Sequence, residues 1–130
     1  MRLGKKEREF LSGHEVCRLA TASEEGPHVV PVCYILKGDF IYIVTDYGTK
    51  KYKNVLKNRR VALVVDEYRP GAHRAVMIQG EVEILERGKE YREITEEFLR
   101  RFDWARADPW KEGESPIFKI RPLKVVSWGL

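Results

Sequence analysis

Residues 45–60, TDYGTKKYKNVLKNRR, read as the end of a strand, a tight turn and a short helix. Thr49 is suited to cap that helix, Tyr52, Val55 and Leu56 share the i, i+3, i+4 spacing of one apolar face, and Asn58 is a reasonable stop. The charges run against this grain. Lys50, Lys51 and Lys53 crowd the first turn, where the positive end of the helix dipole disfavours each cation by about 0.3–1 kcal/mol. An anion would relieve the conflict, because open first-turn N–H groups, a hydroxyl and two ammonium groups together make a phosphate cradle. The same lysines would also suit a solvated basic face, and spacing alone does not separate the two readings.

Working outward, the chain of 130 residues has 43% hydrophobic and 34% charged side chains, enough for one ordinary core, so one domain over residues 1–130 is expected. No window approaches the roughly eighteen continuous apolar residues of a membrane span, and MRLGKKEREF at the start has no apolar signal core. A soluble cytoplasmic protein with no membrane partner is the expectation. The net charge of +4 is unevenly spread: residues 49–60 hold six basic residues and no acid, leaving 18 basic against 20 acidic side chains elsewhere. Positive charge is therefore local, which favours a discrete anion site over a broad nucleic-acid surface. Cys17 and Cys33 do not form a secreted disulfide framework and are expected as buried free thiols.

Before the central stretch, residues 5–12 read as a short helix stopped at Gly13, with Leu3, Phe10 and Leu11 as its apolar side. Val16–Ala22 and His28–Leu36 read as two strands around a glycine-containing turn. The second is apolar on both faces from Val29 to Leu36, so each face needs a cover: the core on one side, and a subunit, a helix or a planar ligand on the other. Pro31 cannot donate to a ladder, which places this strand at an edge or a bulge. Phe40–Thr45 is a third strand. Beyond the central stretch come a fourth strand at residues 60–66 and a long fifth at 74–86 bent near Gly80. A helix follows at 89–102 with Tyr91, Ile94, Phe98, Leu99 and Phe102 as its stripe, then a Trp-containing loop and a final strand interrupted at Pro122. Six short antiparallel strands with inserted helices fit a small closed barrel, the mainly β class.

Catalytic sets are thin. His14, His28 and His73 are scattered and read as surface or loop histidines, no metal-ligand spacing occurs, and there is no nucleophile elbow, Walker loop or Gly-x-Gly-x-x-Gly. Any chemistry would fall to a bound cofactor.

The succession RLAT (18–21), EEGPHVVPV (24–32), FIYIVT (40–45), GTKKYKN (48–54), NRRVAL (58–63) and the ending FKIRPLKVVSWG resembles the pyridoxamine 5'-phosphate oxidase-like family of FMN-binding split barrels, over about Leu11 to Gly129. The resemblance implies a six-stranded split β-barrel, a homodimer with flavin sites in the subunit interface, and a small-molecule substrate. It also implies that Thr49, Lys50, Lys51 and Arg18 take the FMN phosphate. Val30, Pro31 and Val32 would lie against the isoalloxazine, and Thr45 would approach the ring or ribityl chain. Trp104 is implied as a cover for the flavin, whereas Trp128 reads first as core.

Family members with oxidase activity on pyridoxamine phosphate carry a longer C-terminal part and a flavin-contacting glutamine where this sequence has Ala75, so vitamin B6 chemistry is not expected. The sequence resembles more the small members that bind FMN or a deazaflavin and act as reductases, or bind flavin with no established reaction. FMN is the cofactor expected and F420 the alternative. The catalytic residues stay unassigned, and a nucleic-acid-binding module, with Tyr47 and Tyr52 among the lysines, is the reading from another class.

Overall fold

Two apolar clusters on opposite faces of one sheet organise the chain. The computed structural model describes residues 2–130. Its elements are α1 (Lys5–Ser12), β1 (Val16–Ser23), β2 (Gly26–Cys33), β3 (Ile35–Lys37), β4 (Phe40–Val44), α2 (Lys50–Lys57), β5 (Arg60–Glu67), β6 (Arg74–Leu85), α3 (Lys89–Arg101), α4 (Asp103–Ala107) and β7 (Ile117–Trp128). All strand pairs are antiparallel, in the order β2-β1-β5-β6-β7-β4-β3. The sheet curls into a split barrel. The sheet closes on itself where β2 touches β4, the strand next to the β3 edge, without a ladder between them.

Seven strands form where six were expected, because the run Val29–Leu36 is broken at Tyr34. The Tyr34 N–H still bonds the Glu15 carbonyl at 3.0 Å, while its hydroxyl turns inward to donate to the Leu11 carbonyl at 2.5 Å. Beyond that anchor the chain leaves β1 and pairs with β4 as β3. Uniform apolarity on both sides of Tyr34 hid the break. As Pro31 requires, β2 is a sheet edge.

Strand alternation sorts the core. Leu19, Ile41, Ile43, Leu63, Ile78, Phe118 and Ile120 fill the barrel with Phe10 and Leu11 of α1 and Val55 of α2. The alternate residues Ile35, Tyr42, Leu85 and Ile117 face outward and are covered by Tyr91, Ile94, Phe98 and Phe102, the stripe expected on α3. Burial on both faces explains why β4 reads as an uninterrupted apolar run.

The long strands β6 and β7 serve both halves of the barrel and bend where Leu123 is extra opposite the step Gln79–Gly80. The strand thus runs on through Pro122, paired with Gly80, instead of stopping there. A Cβ at Gly80 would come within 2.7 Å of the Arg121 carbonyl oxygen, so glycine is required by close backbone approach.

Three further expectations are corrected. Trp128 is 48% exposed on the outer face of β7 and is no part of the core. The Trp-containing loop carries the short helix α4. Cys17 and Cys33 are both free, but only Cys17 is buried. With Cys17 opposite Val32 in the register, the two thiols point to opposite faces, Cys17 into the barrel and Cys33 toward the α3 cluster.

Candidate functional site

Strand β4 delivers Thr45 to the turn that starts α2. Thr45 is buried, its N–H bonds the Pro116 carbonyl at 3.0 Å, and its hydroxyl lies 3.2 Å from that of Thr49. Thr49 has extended backbone and caps α2. Its hydroxyl donates to the Asp46 carbonyl at 2.8 Å and accepts weakly from the Tyr52 N–H at 3.4 Å. The N–H groups of Lys50 and Lys51 then remain open at the helix end, and the first turn holds no acid.

The two lysines diverge. Lys50 Nζ reaches Glu25 Oε1, 2.6 Å away at the tip of the β1–β2 hairpin, and its hydrogen bond holds the Glu25 carboxyl below its ordinary range. Lys51 is half-buried and, among the described residues, makes no salt bridge. Burial pulls its ammonium pKa down, opposed only by the charge of Asp46.

Helix α2 is seated across the barrel by a polar pair. Asn54 Nδ2 donates to Thr21 Oγ1 at 2.9 Å, and both residues are buried. Leu56, expected on the apolar face, is instead 51% exposed, because the helix is turned to bring Asn54 inward beside Val55. In register with Thr21, His28 also lies on a strand and not on a surface loop. Its Nδ1 is buried with no partner.

Val30 and Val32 occupy the inner side of β2, with Val32 packed on the barrel core. Pro31 and its register partner Arg18 are on the outer side, where Arg18 pairs with Asp66 at 3.3 Å. The structure thus gathers Thr45, Thr49 and Lys51 at one spot and sets Lys50 at its rim. The Val30–Val32 segment belongs to β2, the strand that touches β4, and Arg18 and Pro31 lie on the outer sheet face. Tyr47 and Tyr52 are engaged in packing: Tyr52 stacks on Phe118, and the Tyr47 hydroxyl sits 2.9 Å from both the Glu86 carboxylate and the Gly113 carbonyl.

On its other side Thr45 borders a cleft of about 650 Å³, formed against the segment around α4. Trp104 and Trp110 stand in its wall with their rings 16° from parallel and 6.3 Å apart, and Asp46, Asp108 and Glu114 line it. The sequence had marked the tryptophans but not Asp46, Asp108, Asn54 or Thr21. Those four look like ordinary turn, cap and surface residues until the fold sets Asn54 against Thr21 and places Asp46 and Asp108 along one cleft.

The donor set fits a phosphate. Two open first-turn N–H groups and a half-buried ammonium that makes no salt bridge among the described residues belong to one helix N-terminus. Arg18 lies outside that set within one chain.

Residues 3–129 match the family model described as Pyridoxamine 5'-phosphate oxidase. The chain is 32% identical to a 5a,11a-dehydrotetracycline/5a,11a-dehydrooxytetracycline reductase of Streptomyces rimosus, over 96% of this chain and 82% of that protein. A FAD-binding protein of Mesorhizobium loti is 25% identical with a TM-score of 0.76, covering 98% of this chain and 95% of its own. A candidate pyridoxamine 5'-phosphate oxidase of Listeria innocua shares the fold at a TM-score of 0.81 and 18% identity, over 96% and 97% of the two chains. Among the described residues no helix is long and apolar enough to cross a membrane.

Proposed function

The chain belongs to the pyridoxamine 5'-phosphate oxidase family, and on that premise we propose that it is an FMN-dependent reductase of a small molecule, working as a homodimer. The observation that carries this reading is Lys51: a half-buried ammonium with no salt bridge among the described residues, held at the N-terminus of α2 where a cation is disfavoured unless an anion accompanies it. Thr49, the open N–H groups of Lys50 and Lys51, and the Lys51 ammonium hold the phosphate. Val30 and Val32 would offer apolar surface to the ring, and Thr45, beside Thr49, would approach the ring or ribityl chain. Bound there, the flavin supplies the hydride chemistry that no side-chain set of this chain provides. The 32% identity to the Streptomyces rimosus reductase supports reduction as the direction of the reaction.

The homodimer rests on the outer sheet face. Val16, Val29, Val126 and Trp128 are 40%, 64%, 38% and 48% exposed there, and the two α-helices that cover the opposite half of the sheet leave this half bare. A second copy buries these side chains and brings Arg18 into the interface, and any contact of Arg18 with a phosphate is made across it.

The test is a visible-spectrum titration of the purified protein with FMN and, in parallel, F420. Saturable perturbation of the FMN bands, lost in Lys51→Ala, is expected. Binding of F420 alone replaces FMN as the cofactor, and binding of neither ends the proposal.

A further inference from the structure

The cleft beside Thr45 has a chemistry opposite to that of the cradle it adjoins. Its ionisable lining consists of the carboxylates of Asp46, Asp108 and Glu114, with no lysine or arginine, in a protein whose net charge is +4. Glu114 Oε1 accepts the Lys111 N–H at 2.8 Å, and no salt bridge to any of the three carboxylates occurs among the described residues. Trp104 is 43% exposed and stacks on Phe102 on the protein side at 5.4 Å, so indole surface remains available to a ligand. Trp110 extends the wall nearly parallel to it. A volume of about 650 Å³ lies within the range of small-molecule sites, about 300–1,000 Å³. Flat aromatic walls reward a flat ring, and tryptophan is the best aromatic partner for a cation. Asp46 also faces the Lys51 ammonium across the shared wall, but Asp108 and Glu114 have no salt bridge among the described residues and no lysine or arginine lines the cleft, so it repels a phosphorylated ligand and attracts an ammonium.

We infer that this cleft is the substrate site and takes a planar aromatic molecule carrying a positive charge, such as a protonated amine, and rejects phosphorylated or carboxylated ones. Its designation as the substrate site rests on the cradle being the cofactor site, because the two share Thr45 as their common wall. Its ligand preference rests on the cleft alone.

The experiment uses the full chain without added cofactor and two fused-ring probes of opposite charge, 9-aminoacridine and 9-anthracenecarboxylate. Binding is followed by quenching of tryptophan emission and by probe anisotropy. The cation is expected to bind at least tenfold more tightly than the anion. Asp108→Asn with Glu114→Gln is expected to weaken the cation about five- to tenfold, two exposed carboxylates at about 0.5–0.7 kcal/mol each. Trp104→Phe, which keeps the packing on Phe102, is expected to lower the quenching, while Lys51→Ala leaves the cation's affinity within twofold. Equal binding of the two probes, or an unchanged cation affinity in the double carboxylate variant with a native circular-dichroism spectrum, overturns the inference. Loss of FMN binding in Lys51→Ala with aminoacridine binding intact separates the two sites. Failure of FMN to bind the native protein while aminoacridine binds overturns the cofactor reading, and with it the substrate role, but leaves the ligand class standing.

Discussion

Asn54 on α2 and Thr21 on β1 share a buried hydrogen bond of 2.9 Å, the polar link that fixes the helix bearing the cradle to the barrel. Asn54→Leu leaves the Thr21 hydroxyl without its donor and is expected to cost about 1–3 kcal/mol in urea unfolding. Thr21→Val with Asn54→Leu removes both partners and should cost less than the single change, which a double-mutant cycle reads directly. Additive costs would mean that the pair does not act as one unit.

Lys51→Ala should move two properties in opposite directions. Without FMN, loss of a cation from the helix N-terminus raises stability by some tenths of a kcal/mol. With FMN, loss of a charge-assisted contact weakens binding by about 1.5–3 kcal/mol, roughly ten- to a hundredfold. Lys50→Ala, which breaks only the exposed pair with Glu25, should alter either property far less. Thermal melts with and without FMN distinguish the two lysines.

Gly80→Ala places a methyl 2.7 Å from both the Arg121 carbonyl oxygen and Ile120 Cγ2. Backbone cannot swing away as a surface side chain can, so a destabilisation of about 1–3 kcal/mol is expected from the denaturation midpoint.

Glu90 makes stability depend on acid pH. Burial pushes its carboxyl pKa up, but the Lys119 ammonium at 2.8 Å and the Tyr42 hydroxyl at 2.7 Å outweigh that and hold it below the ordinary value. Below about pH 4.3, the usual glutamate pKa, the unfolded chain binds this proton more readily than the folded one, so stability falls as pH falls. The contribution is present above that pH. Glu90→Gln should flatten the acid limb of a urea-midpoint profile between about pH 3 and 5. A profile of unchanged steepness would show that the carboxylate pairing is not felt.

Val29→Glu puts a charge on the bare outer face, on a residue already 64% exposed in one chain. Sedimentation velocity should show the native chain as a dimer and the variant as a folded monomer at micromolar concentration. A native monomer would refute the dimer.

Much of the fold was legible because its periods are clean. The α3 stripe from Tyr91 to Phe102, the glycine bend at Gly80 and the edge position of β2 follow from spacing and from what proline and glycine allow. What escaped was set by rotation and by contact at a distance. A two-sided apolar strand gives no sign of a break at Tyr34, and Asn54 shows nothing in sequence of the partner that buries it. That lysines crowd the first turn of a helix capped by Thr49 was legible in the sequence. The divergence of Lys50 from Lys51 was not, because it depends on Glu25 arriving from another hairpin. The acids of the cleft come from two segments about sixty residues apart and have no shared pattern to find.

The free edge of β2 bears on how the protein fails as well as how it works. Since the Tyr34 N–H points to β1, even-numbered residues of β2 are bonded inward, and the outward nitrogens belong to residues 27, 29, 31 and 33. Two of these four, Pro27 and Pro31, carry no hydrogen. A stray strand approaching this edge finds every second donor missing, so it cannot dock in register or hand a complete template to the next. The prolines act as a terminator for strand addition and protect an apolar edge from runaway fibril growth.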